Sequence, residues 1–437
     1  MRQRRIALAC MTPVPDDGDL GSLRLPSYGI RRILAAVVAD PELADARVGL
    51  FDFGRHDVQA YVDAILGFEP DLLGLSIYVW STPCLVEVAR LVKQRLPACT
   101  VVFGGPSARP AMFDLAPYAP AQAYLDAVVT TEGEAVFCEI ARLTVLDRAA
   151  LRGVSGLHLP SSGPWLQTGH RPPTEALDLI ASPSQLNLMP DNSVAYLETY
   201  RGCPLSCRFC EWGASESARS VFSTDYIVRE LEAFAQQRAS TVFLLDAGLN
   251  LNAKGFRNLL EAEARVGVLR NTTFWAEIYP THIKDEHLDF LSRIGTSYLG
   301  VGLQSLDPAV LKLHDRPFDR PRFEAALARL IPVAQCELQI IFGLPGDTPR
   351  GFLETLAYAR SFGVGVRAYH CLVLPDALMT RGRDGWDMRY DPGNLSMISC
   401  LGWSADDIRQ MRARLDHETA SAGGKSGNYW WSFPSTL

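Results

Sequence analysis

The sequence predicts an α/β protein with two successive parallel sheets. Strand-like apolar runs alternate with amphipathic helical patterns over residues 1–145, and a second such alternation covers residues 191–380. Nearly continuous apolar strands between amphipathic helices are typical of parallel sheets that helices cover on both faces. We therefore expect a doubly wound sheet followed by a partial (β/α)6 barrel.

The first alternation contains the strand-like runs RIALACM, ARVGLFDF, DLLGLSIYV, TVVFGGP and AVVTTEG. Doubly wound sheets bind their ligands beyond the carboxyl ends of the strands, so the loops at residues 12–29, 76–81, 104–107 and 131–134 are candidate ligand loops. Gly104 and Gly105 would let the backbone approach a bulky ligand closely, and a simple tight turn is the alternative interpretation.

Residues 146–190 are dense in turn-forming residues, which predicts a linker. The second alternation then supplies six strand-like runs: VAYLETYRG, TVFLLDA, TTFWAEIYP, YLGVGLQS, LQIIFGLP and VRAYHCLVLP. Consecutive βα units imply a parallel barrel-like sheet with its site at the carboxyl ends of the strands. Residues 381–437 form a C-terminal extension in which we expect Trp430 and Trp431 to pack a helix against the barrel, with the lining of a substrate pocket as the alternative.

The composition excludes several classes of protein. The chain of 437 residues suits two or three domains, and its formal net charge of −7 argues against nucleic acid as a partner. No apolar stretch reaches the roughly 20 residues of a membrane span, and the short apolar run after the basic start predicts a first strand and not a signal peptide. Seven cysteines scattered through apolar runs are typical of reduced core thiols, so we expect a cytoplasmic protein.

Three cysteines, Cys203, Cys207 and Cys210, form a C-x3-C-x2-C triplet directly after the first strand of the second alternation. Thiolates this close in sequence favour a metal centre, and three protein ligands suit an iron–sulfur cluster that keeps one position for a substrate or cofactor. A structural zinc site is the alternative. Such a site usually needs four ligands, and no second Cys/His pair follows at zinc spacing.

The triplet, with Phe209 before its last cysteine, resembles the cluster loop of the radical S-adenosylmethionine (SAM) enzymes. The flanking RGCP and CEWG resemble the subgroup that also carries cobalamin. The resemblance implies that Cys203, Cys207 and Cys210 hold a [4Fe-4S] cluster while SAM chelates the fourth iron. Trp212, two residues past the loop, would then border the substrate.

The N-terminal region adds a second resemblance. The order of a GxxR helix, SxYxW, GGPS and EGE is similar to the Rossmann-like cobalamin-binding domain ahead of many radical SAM cores. The D-x-H-x-x-G element of many cobalamin proteins is absent, since His56 lacks the flanking Asp and Gly, so the cobalt would have no histidine lower ligand. Trp80 would cover the lower face of the corrin, or else pack between domains. The implied cobalamin-binding residues are Ser76, Tyr78, Trp80, Ser81, Gly104, Gly105, Ser107, Glu132, Gly133 and Glu134.

Bound SAM needs acceptors for its ammonium and ribose hydroxyls, a donor for its carboxylate and an apolar slot for adenine. Similar proteins place an amino-group motif after the second strand, a ribose carboxylate in the third and a G-x-P-G turn beside adenine after the fifth. LLDAGLN departs from the familiar Gly-Gly-Glu form, and Glu277 has the alternative of a surface carboxylate. The implied SAM-binding residues are Asp246, Asn250, Glu277, Gln304, Ser305 and Leu344, with Phe209 in the cluster loop.

The resemblance implies a cobalamin-dependent radical SAM methyltransferase that methylates an unactivated carbon of a small-molecule or peptide natural-product intermediate. It would use a 5′-deoxyadenosyl radical and methylcobalamin, with an electron donor such as flavodoxin or ferredoxin. A rearrangement, cyclisation or oxidation without methyl transfer, or polar methylation of an sp2 carbon, is the nearer alternative. A non-catalytic zinc-binding protein is the distant one. Nothing in the sequence identifies the substrate.

Overall fold

The computed structural model describes residues 3–12, 25–53, 56–214 and 220–436. The chain divides into two compact units, of which the first contains the described residues up to Pro190 and Pro392–Asn394. The second contains Asp191–Asp391 and the described residues from Leu395 onward. In the described part of the chain, no helix combines the length and apolar character that a membrane crossing requires.

The first unit is built on a seven-stranded sheet in the order β2-β1-β3-β4-β5-β6-β7. Its strands are β1 (Arg5–Cys10), β2 (Arg47–Phe51), β3 (Leu72–Ser76), β4 (Thr100–Gly104), β5 (Ala127–Val129), β6 (Leu157–Leu159) and β7 (Leu166–Gln167). Its helices are α1 (Tyr28–Ala39), α2 (Val58–Phe68), α3 (Thr82–Arg95), α4 (Pro110–Phe113), α5 (Gly133–Arg142) and α6 (Arg148–Leu151).

Strands β1 to β5 are parallel, and α1 packs against α5 while α2 packs against α3. The predicted doubly wound sheet is therefore confirmed. Every residue of β3 is buried, which explains why its sequence reads as one apolar run. The chain crosses from β2 past β1 to β3, so β1 and β3 are neighbours whose following connections lead in opposite directions along the sheet. Loops that diverge in this way leave a crevice for a ligand at the carboxyl ends of the two strands.

Residues 146–190 differ from the expected linker. They form α6 and a β6–β7 hairpin, and β6 pairs antiparallel with β5. Leu157 and Leu159 are buried on either side of the partly exposed His158, so this short segment extends the core of the first unit. Of the turn-forming residues that suggested a linker, those at 161–164 lie in the hairpin connection and those at 171–173 follow β7.

The second unit contains an eight-stranded sheet in the order β16-β17-β13-β12-β11-β10-β9-β8 and a small β14–β15 ribbon. Its strands are β8 (Ala195–Leu197), β9 (Thr241–Leu244), β10 (Thr273–Ile278), β11 (Ser297–Gln304), β12 (Gln335–Phe342), β13 (Gly365–His370), β14 (Arg389–Tyr390), β15 (Met397–Ser399), β16 (Lys425–Ser426) and β17 (Trp430–Phe433). Its helices are α7 (Thr224–Gln236), α8 (Ala253–Val266), α9 (Asp285–Arg293), α10 (Pro308–Leu313), α11 (Arg320–Leu330), α12 (Pro349–Arg360) and α13 (Ala405–Ser421).

Short 3-10 helices and one π-helical turn lie between these elements in the described part of the chain. They span Pro41–Leu43, Ala119–Ala123, Leu177–Leu179, Glu211–Ala214, Val268–Asn271, Pro280–His282 and Pro375–Met379.

Strands β8 to β13 are parallel and adjacent in chain order, which confirms the six predicted βα units. Burial alternates along β11 and β12, so that one set of side chains faces the helices and the other faces the concave side of the sheet. On that concave side, Phe243, Trp275 and Tyr298 stack in register across β9, β10 and β11. This aromatic layer lies near the amino ends of β10 and β11 and leaves their carboxyl ends for polar side chains.

The C-terminal extension joins the second sheet. Strand β17 pairs antiparallel with β13 and places Trp431 opposite Ala368. Trp431 is fully buried, and its indole N–H donates to Asp416 at 2.6 Å. Trp430 packs under the guanidinium of Arg367. Both tryptophans therefore pack against the barrel, as the sequence predicts.

Candidate functional site

The cysteine triplet lies in the irregular loop that follows β8, and protein groups hold that loop on several sides. Cys207 is buried, whereas Cys203 and Cys210 are partly exposed. Arg381 donates hydrogen bonds to the carbonyls of Cys207 (3.0 Å) and Cys210, and the backbone N–H of Cys210 donates to Cys207 O at 3.1 Å. These hydrogen bonds restrain the path of the loop.

Arg316, which the sequence analysis did not single out, brings a positive charge to the same loop. Its Nη1 atom lies 3.9 Å from Cys207 Sγ, and its Nη2 donates to Gly302 O at 2.7 Å. The guanidinium also lies over the ring of Tyr279, with 4.7 Å to the centroid. Burial raises the pKa of the Cys203 thiol, whereas the Leu205 N–H and Arg316 act in the opposite direction.

The triplet fits an iron–sulfur cluster by its chemistry. Three thiols on one short loop beside a guanidinium provide soft anionic ligands together with a nearby compensating charge. Among the described residues, no three His, Cys, Asp or Glu side chains are gathered into a ready metal-binding group, so the thiols are not closed around a common point. The fit therefore rests on the donor set, on the restrained loop and on Arg316.

Asp246 follows β9 and is buried, and its carboxylate accepts hydrogen bonds from the residues just after β8. It accepts the backbone N–H of Thr199 at 2.8 Å, that of Tyr200 at 3.4 Å and the hydroxyl of Thr199. Burial raises the pKa of Asp246 to about 7, although these donors favour the charged form. Asp246 therefore anchors the start of the cysteine loop.

Asn250 has a similar structural connection to the next strand. Its Nδ2 donates to Tyr279 O at 2.8 Å, and its Oδ1 accepts the Tyr279 N–H at 2.9 Å. Both ends of the amide are therefore engaged by the backbone just beyond β10. The structure ties Asn250 to the loop that also carries the aromatic partner of Arg316.

Glu277 lies on the concave side of β10 and accepts a hydrogen bond from Gln339 Nε2 at 2.9 Å. Burial raises the pKa of Glu277, and the hydrogen bond from Gln339 opposes this shift. Gly300 on the neighbouring strand leaves the room that the carboxylate occupies, because a Cβ there would collide with Glu277 and Gln339. Glu277 is thus not a solvated surface carboxylate.

Gln304 and Ser305 end β11, and Leu344 lies in the turn after β12. Gln304 has a positive φ of 68° beside a bulge, and its side chain turns back over Gly302. The hydroxyl of the fully buried Ser305 donates to Asp347 at 3.3 Å. Leu344 is also fully buried, and its carbonyl accepts the Asp347 N–H. Asp347 therefore joins these two strand ends.

The remaining predicted residues of the loop differ in their surroundings. The ring of Phe209 packs 5.8 Å from that of His314, and His314 in turn packs 4.9 Å from Trp386. Burial lowers the pKa of His314 to about 4, so its imidazole is neutral. Trp212 has 46% of its surface exposed, in the helical turn directly after Cys210.

In the first unit, Tyr78 and Trp80 stack face to face after β3, with ring centroids 4.6 Å apart. Trp80 donates its indole N–H to Met11 O at 3.2 Å and keeps 39% of its surface exposed. Burial raises the pKa of Tyr78 to about 12, while a hydrogen bond with Ser76 opposes the shift. The buried Ser81 hydroxyl closes this turn by accepting the Tyr78 N–H at 3.0 Å.

The glycine pair Gly104–Gly105 lies at the end of β4, beside this turn. Gly105 has a φ of 95°, and a Cβ there would lie 2.7 Å from Ile77 O. At Gly104, by contrast, a Cβ would have no protein atom within 4 Å among the described residues. Ser107 is buried and donates its N–H to Ile77 O at 3.2 Å. The loop thus leaves open space at one glycine, as a cradle for a large ligand requires.

The last predicted loop follows β5, and most of the first, at residues 12–29, lies outside the described residues. Glu132 accepts the Thr174 N–H at 2.8 Å, and Gly133 and Glu134 begin α5. A Cβ at Gly133 would lie 2.9 Å from Ile33 of α1, so this glycine permits close helix packing. The Nε2 atom of His56 lies 2.9 Å from the backbone oxygen of Thr12, so this ring nitrogen already contacts the backbone.

Sequence reasoning missed four side chains that restrain the cysteine loop or the turn after β12. These are His314, Arg316, Asp347 and Arg381. Each acts on residues distant in sequence, and Arg316 is 109 positions from Cys207. His314 and Arg316 follow α10, and Arg381 follows the helical turn Pro375–Met379, so no local pattern in the sequence singles them out.

Comparisons with known proteins agree with both units. The family model of the radical SAM superfamily matches residues 197–359, and that of the B12 binding domain matches residues 24–141. The chain is 30% identical over 340 residues to 2-(S-pantetheinyl)-carbapenam-3-carboxylate methyltransferase of Streptantibioticus cattleyicolor, covering 71% of this chain and 48% of that protein. It is 29% identical over 346 residues to the cobalamin-dependent radical SAM methyltransferase TokK of Streptomyces tokunonensis, with 73% and 49% covered. The chain spans about half the length of these relatives.

Solved structures share the fold at low sequence identity. The cobalamin-dependent SAM radical enzyme OxsB, with aqua-cobalamin and SAM bound, has a TM-score of 0.71 at 12% identity, covering 96% of this chain and 67% of that one. The radical SAM methyltransferase TsrM from Kitasatospora setae has a TM-score of 0.65 at 17% identity, covering 86% and 75%.

Fold, family matches and cysteine loop together define a B12-binding domain followed by a radical SAM domain. The chain thus combines the two domains in which it is similar to its relative TokK, a cobalamin-dependent radical SAM methyltransferase. A radical SAM domain implies a [4Fe-4S] cluster and SAM, and a B12-binding domain implies cobalamin.

Proposed function

We propose that this protein is a methyltransferase that transfers a methyl group to an unactivated carbon of a small-molecule or peptide natural-product intermediate. The observation that carries the proposal is the combination of a B12-binding and a radical SAM domain in a chain similar to two methyltransferases. One of these relatives is named for a carbapenam substrate, which makes that class of compound the first to test.

In this proposal Cys203, Cys207 and Cys210 are the ligands of the cluster. When bound, the cluster supplies the electron that cleaves SAM to a 5′-deoxyadenosyl radical, and cobalamin supplies the methyl carrier. The protein supplies the restraints. Arg381 holds the carbonyls of the loop, and Arg316 places positive charge beside Cys207.

The SAM site in this proposal is formed by the strand ends of the second unit. Glu277 and Gln304 offer acceptors on the concave side, and Leu344 contributes the apolar turn beside the adenine. Asp246 and Asn250 act by fixing the loops after β8 and β10, since backbone groups already occupy their polar atoms. Ser305 acts through Asp347.

The cobalamin site in this proposal comprises the loops of the first unit at residues 76–81, 104–107 and 131–134. The open space at Gly104 allows the corrin to approach the backbone, and Trp80 offers an exposed, stacked aromatic face. Since Nε2 of His56 contacts Thr12 O, we propose that the cobalt receives no histidine ligand from this position. The loop residues Ser76, Tyr78, Ser81, Gly105, Ser107, Glu132, Gly133 and Glu134 shape the same site.

The proposed partners follow from this chemistry. A one-electron reduction requires a donor, for which a flavodoxin or ferredoxin is suitable, and Trp212 is proposed to border the substrate. The proposed location is the cytoplasm, where thiols stay reduced. Among the described residues, no two of the ten cysteines are joined by a disulfide.

The test uses anaerobically reconstituted protein with CD3-labelled SAM, a chemical reductant and 2-(S-pantetheinyl)-carbapenam-3-carboxylate as the first substrate probe. We expect 5′-deoxyadenosine and S-adenosylhomocysteine to form, and a turned-over substrate to carry the label by mass spectrometry. Formation of 5′-deoxyadenosine with an unlabelled product would favour the non-methylating alternative. A colourless protein that contains zinc and no iron would eliminate the enzyme.

A further inference from the structure

We infer that His314 is a positioning residue for SAM. It links the cysteine loop to the turn at residues 343–346 after β12, and its hydrogen bond to Pro345 keeps that turn in the conformation that receives the adenine. The inference deepens the proposed function and rests on it, because the proposed function places the adenine beside this turn. One fully buried side chain that contacts both segments carries the inference.

His314 lies where α10 ends, and its backbone binds the cysteine loop. The N–H of His314 still donates to Val310 O at 3.1 Å, as in a helix, but Asp315 has a positive φ of 53° and turns the chain away. The last carbonyls of a helix have no partner within it. The carbonyl of His314 instead accepts the backbone N–H of Arg208, in the cysteine loop, at 3.0 Å.

The imidazole of His314 packs against the same loop. Its centroid lies 5.8 Å from that of the Phe209 ring, which directly precedes Cys210 in sequence, and 4.9 Å from that of the Trp386 ring. His314 has no exposed surface, so protein atoms enclose the ring. Two separate contacts, one from the backbone and one from the ring, therefore hold this residue against the loop that carries the cysteines.

The other contact of His314 is with the turn after β12, where Nε2 lies 2.9 Å from the carbonyl oxygen of Pro345. A carbonyl oxygen can only accept, so Nε2 carries the hydrogen and donates. Because Pro345 is buried, loss of the donor would leave this carbonyl unpaired, which costs more than the net value of the hydrogen bond.

The second ring nitrogen shows which property of histidine matters at this position. Nδ1 of His314 is buried and has no hydrogen-bond partner among the described residues. Unpaired buried polar atoms are rare because they destabilise the folded state. An apolar ring would pack here without that unpaired nitrogen, so the donor at Nε2 is what distinguishes histidine at this position.

The turn at residues 343–346 is held by hydrogen bonds from two distant parts of the chain. Gly343 and Gly346 have φ values of 79° and 90°, which lets the backbone reverse sharply. The N–H of Gly346 donates to Leu401 O at 2.8 Å, and Pro345 O accepts from His314. A ligand that meets an ordered turn avoids the entropic cost of ordering it. We therefore expect SAM to bind more weakly when the hydrogen bond from His314 is lost.

The experiment separates this hydrogen bond from the packing of the ring. His314→Phe keeps an aromatic ring of similar size without the donor, whereas His314→Gln loses the ring and carries an amide N–H that can reach Pro345 O. The control His287→Phe makes the same replacement at another buried histidine, whose ring centroid lies 4.4 Å from that of Phe256.

Three measurements are made on each variant after anaerobic reconstitution. Equilibrium dialysis with radiolabelled SAM gives the affinity for SAM. Hydrogen–deuterium exchange of the turn in the absence of SAM reports how well the turn is ordered, and thermal unfolding verifies that the variant is folded.

We expect His314→Phe to keep its iron, to bind SAM about tenfold more weakly and to exchange the amide hydrogens of the turn faster. His314→Gln retains a donor and should bind SAM within about twofold of the wild type. His287→Phe should match the wild type in SAM affinity. The loss in His314→Phe should appear in KM for SAM and not in kcat for 5′-deoxyadenosine formation, because the ground state and the transition state lose the same contact.

Unchanged SAM affinity in His314→Phe would overturn the inference. An equal loss of affinity in His314→Phe and His314→Gln would also overturn it, because packing and not the hydrogen bond would then be the cause. Both results leave the proposed function intact. A wild type that neither binds nor cleaves SAM would instead overturn the proposed function.

Discussion

Arg316 places its Nη1 atom 3.9 Å from the sulfur of Cys207, although the two residues lie 109 positions apart. A guanidinium at this distance stabilises negative charge on the thiolate and on any reduced cluster it holds. Unit charges about 4 Å apart interact by roughly 1 kcal/mol in water and about 4 kcal/mol at an effective dielectric of 20. Since Arg316 is partly exposed, the lower part of that range applies.

The first prediction concerns this charge. Arg316→Gln should keep iron but lower the cluster's midpoint potential, because the reduced state loses the electrostatic stabilisation. An electron paramagnetic resonance redox titration measures the shift. The control is Arg322→Gln, an exposed arginine on α11. A potential equal to that of the wild type would show that the 3.9 Å contact does not tune the site.

The second prediction separates the triplet from the other cysteines. Alanine at Cys203, Cys207 or Cys210 should abolish both cluster formation and 5′-deoxyadenosine production, because each removes one of three ligands. Iron analysis and chromatography measure the two outcomes. Cys84→Ala, at a half-buried thiol of α3, should change neither. SAM cleavage retained by a triplet variant would contradict the ligand assignment.

The third prediction uses two neighbouring glycines. Gly104→Ala should fold normally, since its Cβ meets no described protein atom within 4 Å, but should weaken cobalamin binding by filling space beside the loop. Gly105→Ala should destabilise the fold itself by at least about 1–2 kcal/mol, because φ is positive and the Cβ approaches Ile77 O. Thermal unfolding and cobalamin titration distinguish them, with Gly67→Ala as the open-space control.

The fourth prediction tests Trp80, whose exposed ring stacks on Tyr78. Trp80→His should retain cobalamin but change its visible and electron paramagnetic resonance spectra, because imidazole nitrogen is a strong cobalt ligand. Trp165→His, on the hairpin of the same unit, should leave the spectra unchanged. Unchanged spectra for Trp80→His would assign the side chain to packing.

The fifth prediction follows from the pKa of Asp246, which burial raises from 3.8 to about 7. Because the folded state resists ionisation, this group makes the wild type less stable as pH rises through that interval, by at most on the order of 4 kcal/mol. Asn cannot ionise, so the variant Asp246→Asn escapes this loss of stability. The melting temperature of the variant minus that of the wild type should therefore increase from about pH 5 to about pH 7.5. Calorimetry of the metal-free protein measures it. A difference independent of pH, as expected for the exposed control Asp289→Asn, would contradict the raised pKa.

Local sequence was enough for much of the fold. The apolar runs of β3 and β11 and the 3.6-residue periodicity of α7 are properties of neighbouring residues, so both sheets could be predicted. The β6–β7 hairpin could not be predicted, because strands of three and two residues carry too little pattern beside their turn formers. Pairing with β5 stabilises them, and that pairing is a tertiary contact.

The sequence by itself determined the order of the two domains, the strands of each sheet and the cysteine spacing that indicates a cluster. These depend on periodicity and on distances of a few residues along one chain. Only the tertiary structure decided that Asp246 binds the end of β8 and that Arg316 lies beside Cys207. Both contacts join residues that are far apart in sequence and become neighbours only when the chain folds. The physical reason is that a side chain can bond only with the groups that the folded backbone brings next to it.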